Sequence, residues 1–282
     1  MKNPAKDRGK NRKSGGTKSR HGYKPHYSVH GNDHYGKQNP ESTDTGIRLN
    51  KFIANAGICS RREADQLILS GSVSINGKTV TQLGLKVHTA DKVKFNDRVI
   101  KSEKPVYLLL NKPKGYITST RDEEDRATVM EIIKGACKER VYPVGRLDRN
   151  TTGLLLLTND GELTENLAHP SHMVKKIYEV GLDRPVSAED LARVREGVEL
   201  EDGFIKPDEI AIVSPDKHMV GIEIHSGKNR IIRRIFEKFG YKITRLDRVM
   251  YAFLTKKNLP RGKWRYLTPE EVTRLKHLRR GS

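Results

Sequence analysis

The sequence is poor in the residues that mark several protein classes. It has two cysteines, one tryptophan and 6 % aromatic residues among its 282 residues. Cys59 and Cys137 lie far apart, form no CxxC pair and have no histidines at ligand spacing, which argues against a zinc site and a disulfide framework. No apolar run approaches the roughly 18 residues of a membrane span, and no apolar signal segment precedes the first basic residues. We therefore expect a cytoplasmic protein with free thiols and no membrane partner.

Acidic residues are also scarce relative to basic ones. The chain has 35 Asp and Glu against 54 Lys and Arg, a formal net charge of +19. Such an excess strengthens binding to phosphate backbones through counterion release, but it carries no sequence specificity and no catalysis. Since 35 % of the residues are hydrophobic, the chain can still bury a core, and its length indicates two domains plus tails. We expect a polyanionic partner; charge alone leaves an acidic membrane surface open as the alternative.

Residues 1–46 contain almost no aliphatic side chains. Ten Lys and Arg stand against four Asp and Glu, a net charge of +6, and a segment of this composition cannot form a core. It is either a solvated tail or a disordered basic arm that adds non-specific RNA affinity, with Tyr23, Tyr27 and Tyr35 available to stack on bases. We favour the basic arm.

Residues 47–102 have the pattern of a compact α+β module. Apolar side chains between positions 49 and 53 share one helical face, and the capping-box pattern that begins at Ser60 opens a second helix. The dipeptide Asn76-Gly77 between two short alternating runs predicts a β-hairpin. The basic side chains of this module form either a solvated face or an RNA-binding face. These residues are Arg48, Lys51, Arg61, Arg62 and Lys78.

The pattern of residues 103–282 predicts a second domain of mixed helices and strands, which begins with a buried strand at 106–110. Consecutive strands without regular helical crossovers favour an α+β fold over a doubly wound sheet. Periodicity predicts strands at 154–158, 175–182, 219–225 and 243–250, and helices at 161–168, 187–195, 229–239 and 269–279.

The tetrapeptide RLDR occurs twice, around Asp148 and around Asp247. Asp247 lies in an alternating run, so the simplest interpretation is a strand ion pair with its two flanking arginines. Asp148 lies between Gly145 and a leucine strand, on a loop held by core elements, which is the common placement of a catalytic acid. A calcium loop is disfavoured because Asn159 stands where a bidentate glutamate belongs. Spacing alone leaves catalysis and a structural salt bridge equally open for Asp148.

The first module resembles the S4 RNA-binding domain. The similarity rests on R-L-x-K-F-I-A-x-A-G-x-x-S-R-R-x-A and G-x-V-x-I-N-G-K, which match residues 48–64 and 71–78. The resemblance implies that the basic face of this module contacts structured RNA. Because the domain occurs in proteins of several functions, it indicates the ligand class and leaves the reaction open.

Nearly the whole chain from Ile47 to Leu275 resembles a pseudouridine synthase of the RsuA/RluB/RluF type. The matching segments, in family order, are LLLNKPKGYITS, YPVGRLDRNTTGLLLLTNDGEL, HPSHMVKKIYEV, SGKNRIIRRIFEKFGYKITRLDR and LPRGKWRYLTPEE. The resemblance implies an S4 domain followed by a mixed, largely antiparallel catalytic domain. It also implies isomerisation of one chosen uridine in ribosomal RNA, without a cofactor or a metal, by a protein that we expect to be monomeric.

The same resemblance implies roles for individual residues. Asp148 would be the catalytic aspartate, Tyr178 would stack on the target uracil and Arg233 would pair with the aspartate. Further RNA contacts are implied for Arg146, which would contact or replace the flipped nucleotide, and for Arg230 and Arg234. Without the resemblance, Tyr178 would be taken as a core residue of a strand, and Arg233 and Arg234 as part of a solvated basic helix face.

One position departs from the family pattern, and two other functions compete. Ile231 stands where many relatives carry Gln or Glu, which puts a polar contact near the pocket in doubt. A non-enzymatic RNA-binding assembly factor would be favoured by replacement of Asp148 or Tyr178, and neither is replaced. An S4-bearing tRNA synthetase would need nucleotide-binding signatures that the sequence lacks. Segments such as HPSHMVKKIYEV favour the relatives that act on the large ribosomal subunit.

Overall fold

A computed structural model describes residues 46–168 and 172–278. Residues 1–45 of the predicted basic arm lie outside this part of the chain. Within the described residues, no helix combines the length and apolar character needed to cross a membrane. The first module consists of β1 (Ile47–Arg48), α1 (Leu49–Asn55), α2 (Arg61–Leu69), β2 (Val73–Ile75), β3 (Lys78–Thr79), β4 (Lys86–Val87), β5 (Val93–Phe95) and β6 (Arg98–Val99).

Local sequence signals explain the first module. Ser60 caps α2: its hydroxyl accepts from the Glu63 backbone N–H at 3.3 Å, and the Glu63 carboxylate accepts from the Ser60 N–H at 2.7 Å. Asn76 and Gly77 have φ angles of 50° and 83°, the left-handed pair that a tight hairpin turn requires between β2 and β3. The predicted capping box and hairpin are therefore confirmed, and α1 and α2 pack together over the sheet β3-β2-β5-β6.

The second domain contains the remaining elements of the chain. They are β7 (Tyr107–Lys112), α3 (Val129–Ile132), β8 (Tyr142–Pro143), β9 (Thr152–Thr158), α4 (Gly161–Ala168), β10 (Lys176–Leu182), α5 (Ala188–Glu196), β11 (Val198–Leu200), β12 (Gly203–Ile205), β13 (Glu209–Ile212), β14 (Met219–Ile224), α6 (Ile231–Lys238), β15 (Ile243–Tyr251), β16 (Leu254–Thr255), β17 (Trp264–Tyr266) and α7 (Pro269–Lys276).

One nine-stranded sheet forms the centre of this domain, in the order β13-β14-β10-β15-β9-β7-β17, with β16 beside β15 and β8 beside β9. Its strand pairs are antiparallel except β9 with β15. Helices cover both faces: Leu108 and Leu110 pack toward α5 and α6, whereas Leu109 packs toward α4 and α7. A sheet covered on both faces explains the continuous leucine run. The predicted mixed, largely antiparallel α+β architecture is confirmed.

Asp247 joins the two parallel strands from inside the domain. It lies opposite Thr152 in the register of β15 and β9, and none of its side chain is exposed. Its carboxylate accepts from the two Nη atoms of Arg261 at 2.9 and 2.8 Å, from Lys256 Nζ at 2.7 Å and from the Thr152 hydroxyl at 2.9 Å.

The predicted ion pair between Asp247 and its flanking arginines is therefore wrong in part. Arg245 does approach Asp247 at 3.4 Å. Arg248 instead points to the other face of β15 and donates from Nε to the Leu154 carbonyl at 2.8 Å. Neighbours on one strand point to opposite faces, so Arg248 cannot reach Asp247. The main partners, Arg261 and Lys256, come from the segment after β15.

A short connection between β6 and β7 holds the first module against the second domain. The Glu103 N–H donates to the Asn55 carbonyl at 2.8 Å, and its carboxylate accepts from the Arg140 N–H at 3.2 Å. Gly57 has a φ angle of 75°, a left-handed conformation that favours glycine, and the Glu103 carboxylate lies directly beside it. The predicted domain boundary between 102 and 103 falls within this connection.

Candidate active site

A cavity of about 430 Å³ opens above β10 and β15, beside the N-terminal end of α6. Its wall contains five residues that the sequence analysis selected, namely Arg146, Asp148, Tyr178, Arg230 and Arg233. They come from three separate segments of the chain, which the fold brings together.

Asp148 lies on the loop between β8 and β9, and its side chain is 36 % exposed. The neighbouring Leu147 is buried and fixes this loop: its carbonyl accepts from the Thr118 hydroxyl at 2.8 Å, and its N–H donates back to the same oxygen at 3.2 Å. Farther along, Gly153 has a φ angle of 107°, and a Cβ there would lie 2.3 Å from the Arg248 carbonyl oxygen. Asp148 is therefore accessible to a ligand on a loop whose backbone is held at both ends.

Lys112, which the sequence analysis did not select, holds the same loop from below. This side chain is completely buried at the end of β7. Its ammonium group contacts four backbone carbonyl oxygens, those of Pro113 at 3.2 Å, Asp148 at 3.1 Å, Arg149 at 3.2 Å and Thr151 at 2.8 Å. Burial lowers the pKa of Lys112 to about 8, so the group is still a cation at neutral pH. A lysine that ends a completely buried strand, two residues after the apolar run Tyr107–Leu110, was the available signal.

Two arginines of the α6 segment face Asp148. Arg233 places Nε 3.5 Å from Asp148 Oδ2, and Arg230 places Nη1 3.9 Å from the same oxygen. Arg230 precedes α6 with a φ angle of 48°, a left-handed conformation that is uncommon for a side chain of this size. The arrangement concentrates positive charge on one side of a single carboxylate.

The apolar face of α6 decides which arginine reaches the cavity. Ile232 and Ile235 are buried against the sheet, and this orientation turns Arg233 toward Asp148. Arg234 points away and forms a bidentate pair with Asp202 at 2.8 and 2.9 Å. Of these two adjacent arginines, Arg233 lines the cavity and Arg234 does not.

Tyr178 provides an aromatic surface on the floor of the cavity. It lies in the centre of β10, between Ile222 of β14 and Arg248 of β15 in strand register, and it is 9 % exposed. Such a ring, flanked by an aliphatic side chain, can stack on a planar base. Ile231 also lines the cavity and is buried, so the wall is aliphatic at the position that departs from the family pattern.

The deeper end of the cavity contains a second group of residues that the sequence analysis missed. Arg248, Lys176 and Tyr251 all line it. Burial, followed by the positive charge of Arg248, lowers the pKa of Lys176 to about 8, and burial raises the pKa of Tyr251 to about 12. Arg248 is the last residue of the second RLDR, two positions after Leu246 on the same strand. Residues two apart on a strand share a face, so this spacing was a signal that Arg248 is buried.

The remaining predicted RNA-binding residues lie on the surface of the first module. Arg48 precedes α1, Arg61 and Arg62 begin α2, and all three are exposed. Lys78 is exposed on β3, and Lys51 is half-buried on α1. A second cavity of about 340 Å³ adjoins the first on the other side of Asp148, and both contain Arg146, Leu147, Asp148 and Arg230 in their walls.

Known proteins resemble this chain over most of its length. The sequence pattern of the S4 domain matches residues 47–93, and that of the RNA pseudouridylate synthase family matches residues 106–238. The ribosomal large subunit pseudouridine synthase B of Bacillus subtilis is 43 % identical over 235 residues, which cover 82 % of this chain and 96 % of that protein. The dual-specificity RNA pseudouridine synthase RluF of Escherichia coli K12 is 36 % identical over 232 residues, 81 % of this chain and 78 % of that protein.

A solved structure supports the same relationship. The crystal structure of a pseudouridylate synthase superposes with a TM-score of 0.58 at 30 % identity, covering 81 % of this chain and 99 % of that one. An S4 domain therefore precedes a catalytic domain of the same fold as a known pseudouridylate synthase, and the identities exceed what a shared fold alone requires. The chain belongs to the RNA pseudouridine synthase family of isomerases.

Proposed function

We propose that this protein converts one specific uridine of ribosomal RNA, in the large subunit, to pseudouridine, and that Asp148 is the catalytic carboxylate. The observation that carries the proposal is the position of Asp148, 3.5 Å from Arg233 Nε in a cavity whose floor is Tyr178. The choice of ribosomal RNA rests on the Bacillus subtilis relative, whose name specifies the large ribosomal subunit.

The reaction breaks the N1–C1′ glycosidic bond of uridine, turns the base and forms a C5–C1′ bond. The proton on C5 is lost and N1 gains one, so atoms and electrons balance without a redox partner, and no cofactor is needed. The target base must first leave its stack, which costs a few kcal/mol. The ring of Tyr178 offers the flipped base a flat apolar surface in place of its neighbours.

Asp148 acts at the sugar end of this base. A carboxylate either adds to the substrate or stabilises the positive charge that develops at C1′ when the glycosidic bond breaks. Both roles need an oxygen held at a fixed position, which Leu147 and Lys112 provide through the loop backbone. Arg233 orients the carboxylate and stays in the cavity wall.

Substrate binding extends beyond the cavity. Arg61 and Arg62 on α2, with the other basic residues of the first module, are proposed to contact structured RNA. Arg146 and Arg230, which lie between the two cavities beside Asp148, are proposed to contact the strand next to the target nucleotide. Arg234 is proposed to bind RNA from outside the cavity. We further propose a monomeric cytoplasmic enzyme.

Replacement of Asp148 by Asn tests the proposal. The variant keeps the shape and most hydrogen bonding, so we expect folding and RNA binding to persist while pseudouridine formation is abolished. Release of tritium from uracil C5 in labelled ribosomal RNA measures the reaction, and filter binding measures affinity. Asp202→Asn is the matched control, since that carboxylate binds Arg234 outside the cavity. Normal turnover by Asp148→Asn would refute the role of this residue.

A further inference from the structure

Arg248 is a buried cation for which the described residues provide no carboxylate. Its side chain is 3 % exposed, its Nε donates to the Leu154 carbonyl at 2.8 Å, and its guanidinium lies 4.7 Å from the centre of the Tyr251 ring. Nη2 of the same group is buried and has no hydrogen-bond partner among residues 46–168 and 172–278. Burying a charged donor without a partner is costly, so a group that enters the cavity would be expected to bind it.

The neighbouring cation, Lys176, has no acceptor to offer Arg248 Nη2. Lys176 also lines the deep end of the cavity, and its Nζ donates to the His225 carbonyl at 2.8 Å. Arg248 and Lys176 therefore line one end of the cavity, which we call the deep pole. Asp148, Arg230 and Arg233 line the other end. The deep pole attracts a hydrogen-bond acceptor.

Strand register fixes the position of Arg248 relative to the proposed base. Tyr178 on β10 and Arg248 on β15 are directly opposite each other, and such side chains share one face of the sheet. A base stacked on Tyr178 therefore presents an edge to Arg248. Asp148 is 36 % exposed and Arg248 is 3 % exposed, so a target nucleotide that remains attached to the RNA strand would place its sugar nearer Asp148.

The chemistry of uracil identifies the atom at this edge. In uridine the ring atom opposite N1 is C4, so the group that points away from the sugar is the C4 carbonyl. After the base has turned and bonded through C5, the opposite ring atom is C2, which is also a carbonyl. One donor at the deep pole is therefore matched by an acceptor both before and after the rotation.

We propose that Arg248 determines the specificity for uracil by donating from Nη2 to the C4 carbonyl of the target uridine, and to the C2 carbonyl of the product. The proposal rests on the proposed function of the cavity. Cytosine carries an amino group at C4, which would place a donor against a buried donor. A site built to hydrogen-bond one group rejects an analogue that cannot do so, because its buried polar group is left unpaired.

Replacing the C4 oxygen of the target uridine by sulfur tests its contact with Arg248 in the wild-type protein as well as in a variant. The substrates are identical ribosomal RNA fragments that carry uridine or 4-thiouridine at the target position, since sulfur is a weaker hydrogen-bond acceptor than oxygen. For the wild-type protein we expect kcat/KM to be about 10-fold lower with 4-thiouridine. Arg248→Met should lower kcat/KM for uridine about 10- to 100-fold, and should lower it less than about 3-fold for 4-thiouridine.

The controls separate a contact from a structural role. Arg193→Met removes an exposed guanidinium of α5 that lines neither cavity, and it should leave the ratio of the two substrates as in the wild type. Thermal unfolding of Arg248→Met shows whether the variant folds, and the wild-type ratio is informative even if it does not. Equal losses on both RNAs in Arg248→Met, or a wild-type protein that uses both equally, would overturn the proposal. A wild-type protein that makes no pseudouridine in ribosomal RNA would overturn the proposed function instead, and this proposal with it.

Discussion

At the scale of single residues, the carboxylate of Asp247 holds β9 and β15 together in the interior of the catalytic domain. Arg261 binds it with two hydrogen bonds and Lys256 with one. Removing one member of a buried ion pair leaves the others uncompensated. Both cations are about one-third exposed, and solvent therefore offsets part of the loss.

We expect Asp247→Asn to lower the free energy of unfolding by about 2 to 3 kcal/mol, measured by urea denaturation. Asp202→Asn is the matched control, because its bidentate partner Arg234 lies at the surface and the Asp202 side chain is 45 % exposed. A clearly smaller loss is expected there, because solvent screens the exposed pair. Equal losses in the two variants would contradict a buried role for Asp247.

The wild-type protein and Asp247→Asn should differ in how their stability responds to acid. Burial alone would raise the pKa of Asp247, but hydrogen bonds from Arg261 and Lys256 outweigh it and bring the pKa well below its usual range. The folded pKa is thus below the unfolded value, so the stabilisation is complete above the unfolded pKa and is lost as pH falls through the folded one. The stability difference between wild type and Asp247→Asn should therefore shrink below about pH 4.

At the scale of secondary-structure elements, α6 separates two adjacent arginines by their direction. Arg233 faces Asp148 and Arg234 faces Asp202. We expect Arg233→Gln to lower kcat about 10²- to 10³-fold, since it removes a positive charge beside the proposed catalytic carboxylate. Arg234→Gln should keep a kcat close to wild type. Single-turnover tritium release measures both, and similar kcat losses would show that α6 has a different orientation.

The end of β7 supports the loop that carries Asp148 through the side chain of Lys112. Its ammonium group contacts the carbonyl oxygens of Asp148, Arg149 and Thr151, and its side chain is completely buried. Lys112→Met keeps the volume but removes the donors. We expect it to lower the free energy of unfolding by about 3 kcal/mol, and to lower kcat more than RNA affinity. Lys114→Met, two residues on, is the control; equal effects would argue against a special role of Lys112.

At the scale of the whole molecule, the positive charge is distributed between the two domains and the N-terminal segment. Residues 1–46 carry a net charge of +6 out of the formal +19. Deleting them should weaken RNA binding and reduce its salt dependence, by about 0.9 in the slope of log K against log salt for each lost phosphate contact. The choice of uridine should be unchanged, because phosphate contacts carry no sequence information. Filter binding at several salt concentrations and mapping of pseudouridines test both statements, and a changed modification site would refute the second.

Local patterns in the sequence were sufficient for most of the elements. The capping box at Ser60, the Asn76-Gly77 turn and the strand at β10 follow from side chains within a few residues of one another. The structure confirmed these elements and the fold class. Short edge strands such as β13 and β17 were not predicted, because three or four residues contain too little alternation.

The sequence by itself determined most of the elements, the family resemblance and the loop that carries Asp148. Only the tertiary structure decided what each buried charge binds, since Asp247 meets Thr152 across 95 positions and Lys112 reaches the Thr151 carbonyl across 39. Periodicity shows which side of a strand is apolar, but it does not show which strand lies beside it. Two copies of RLDR consequently differ in role: the carboxylate of Asp148 faces a cavity, and that of Asp247 is covered because β9 and β15 pair in parallel.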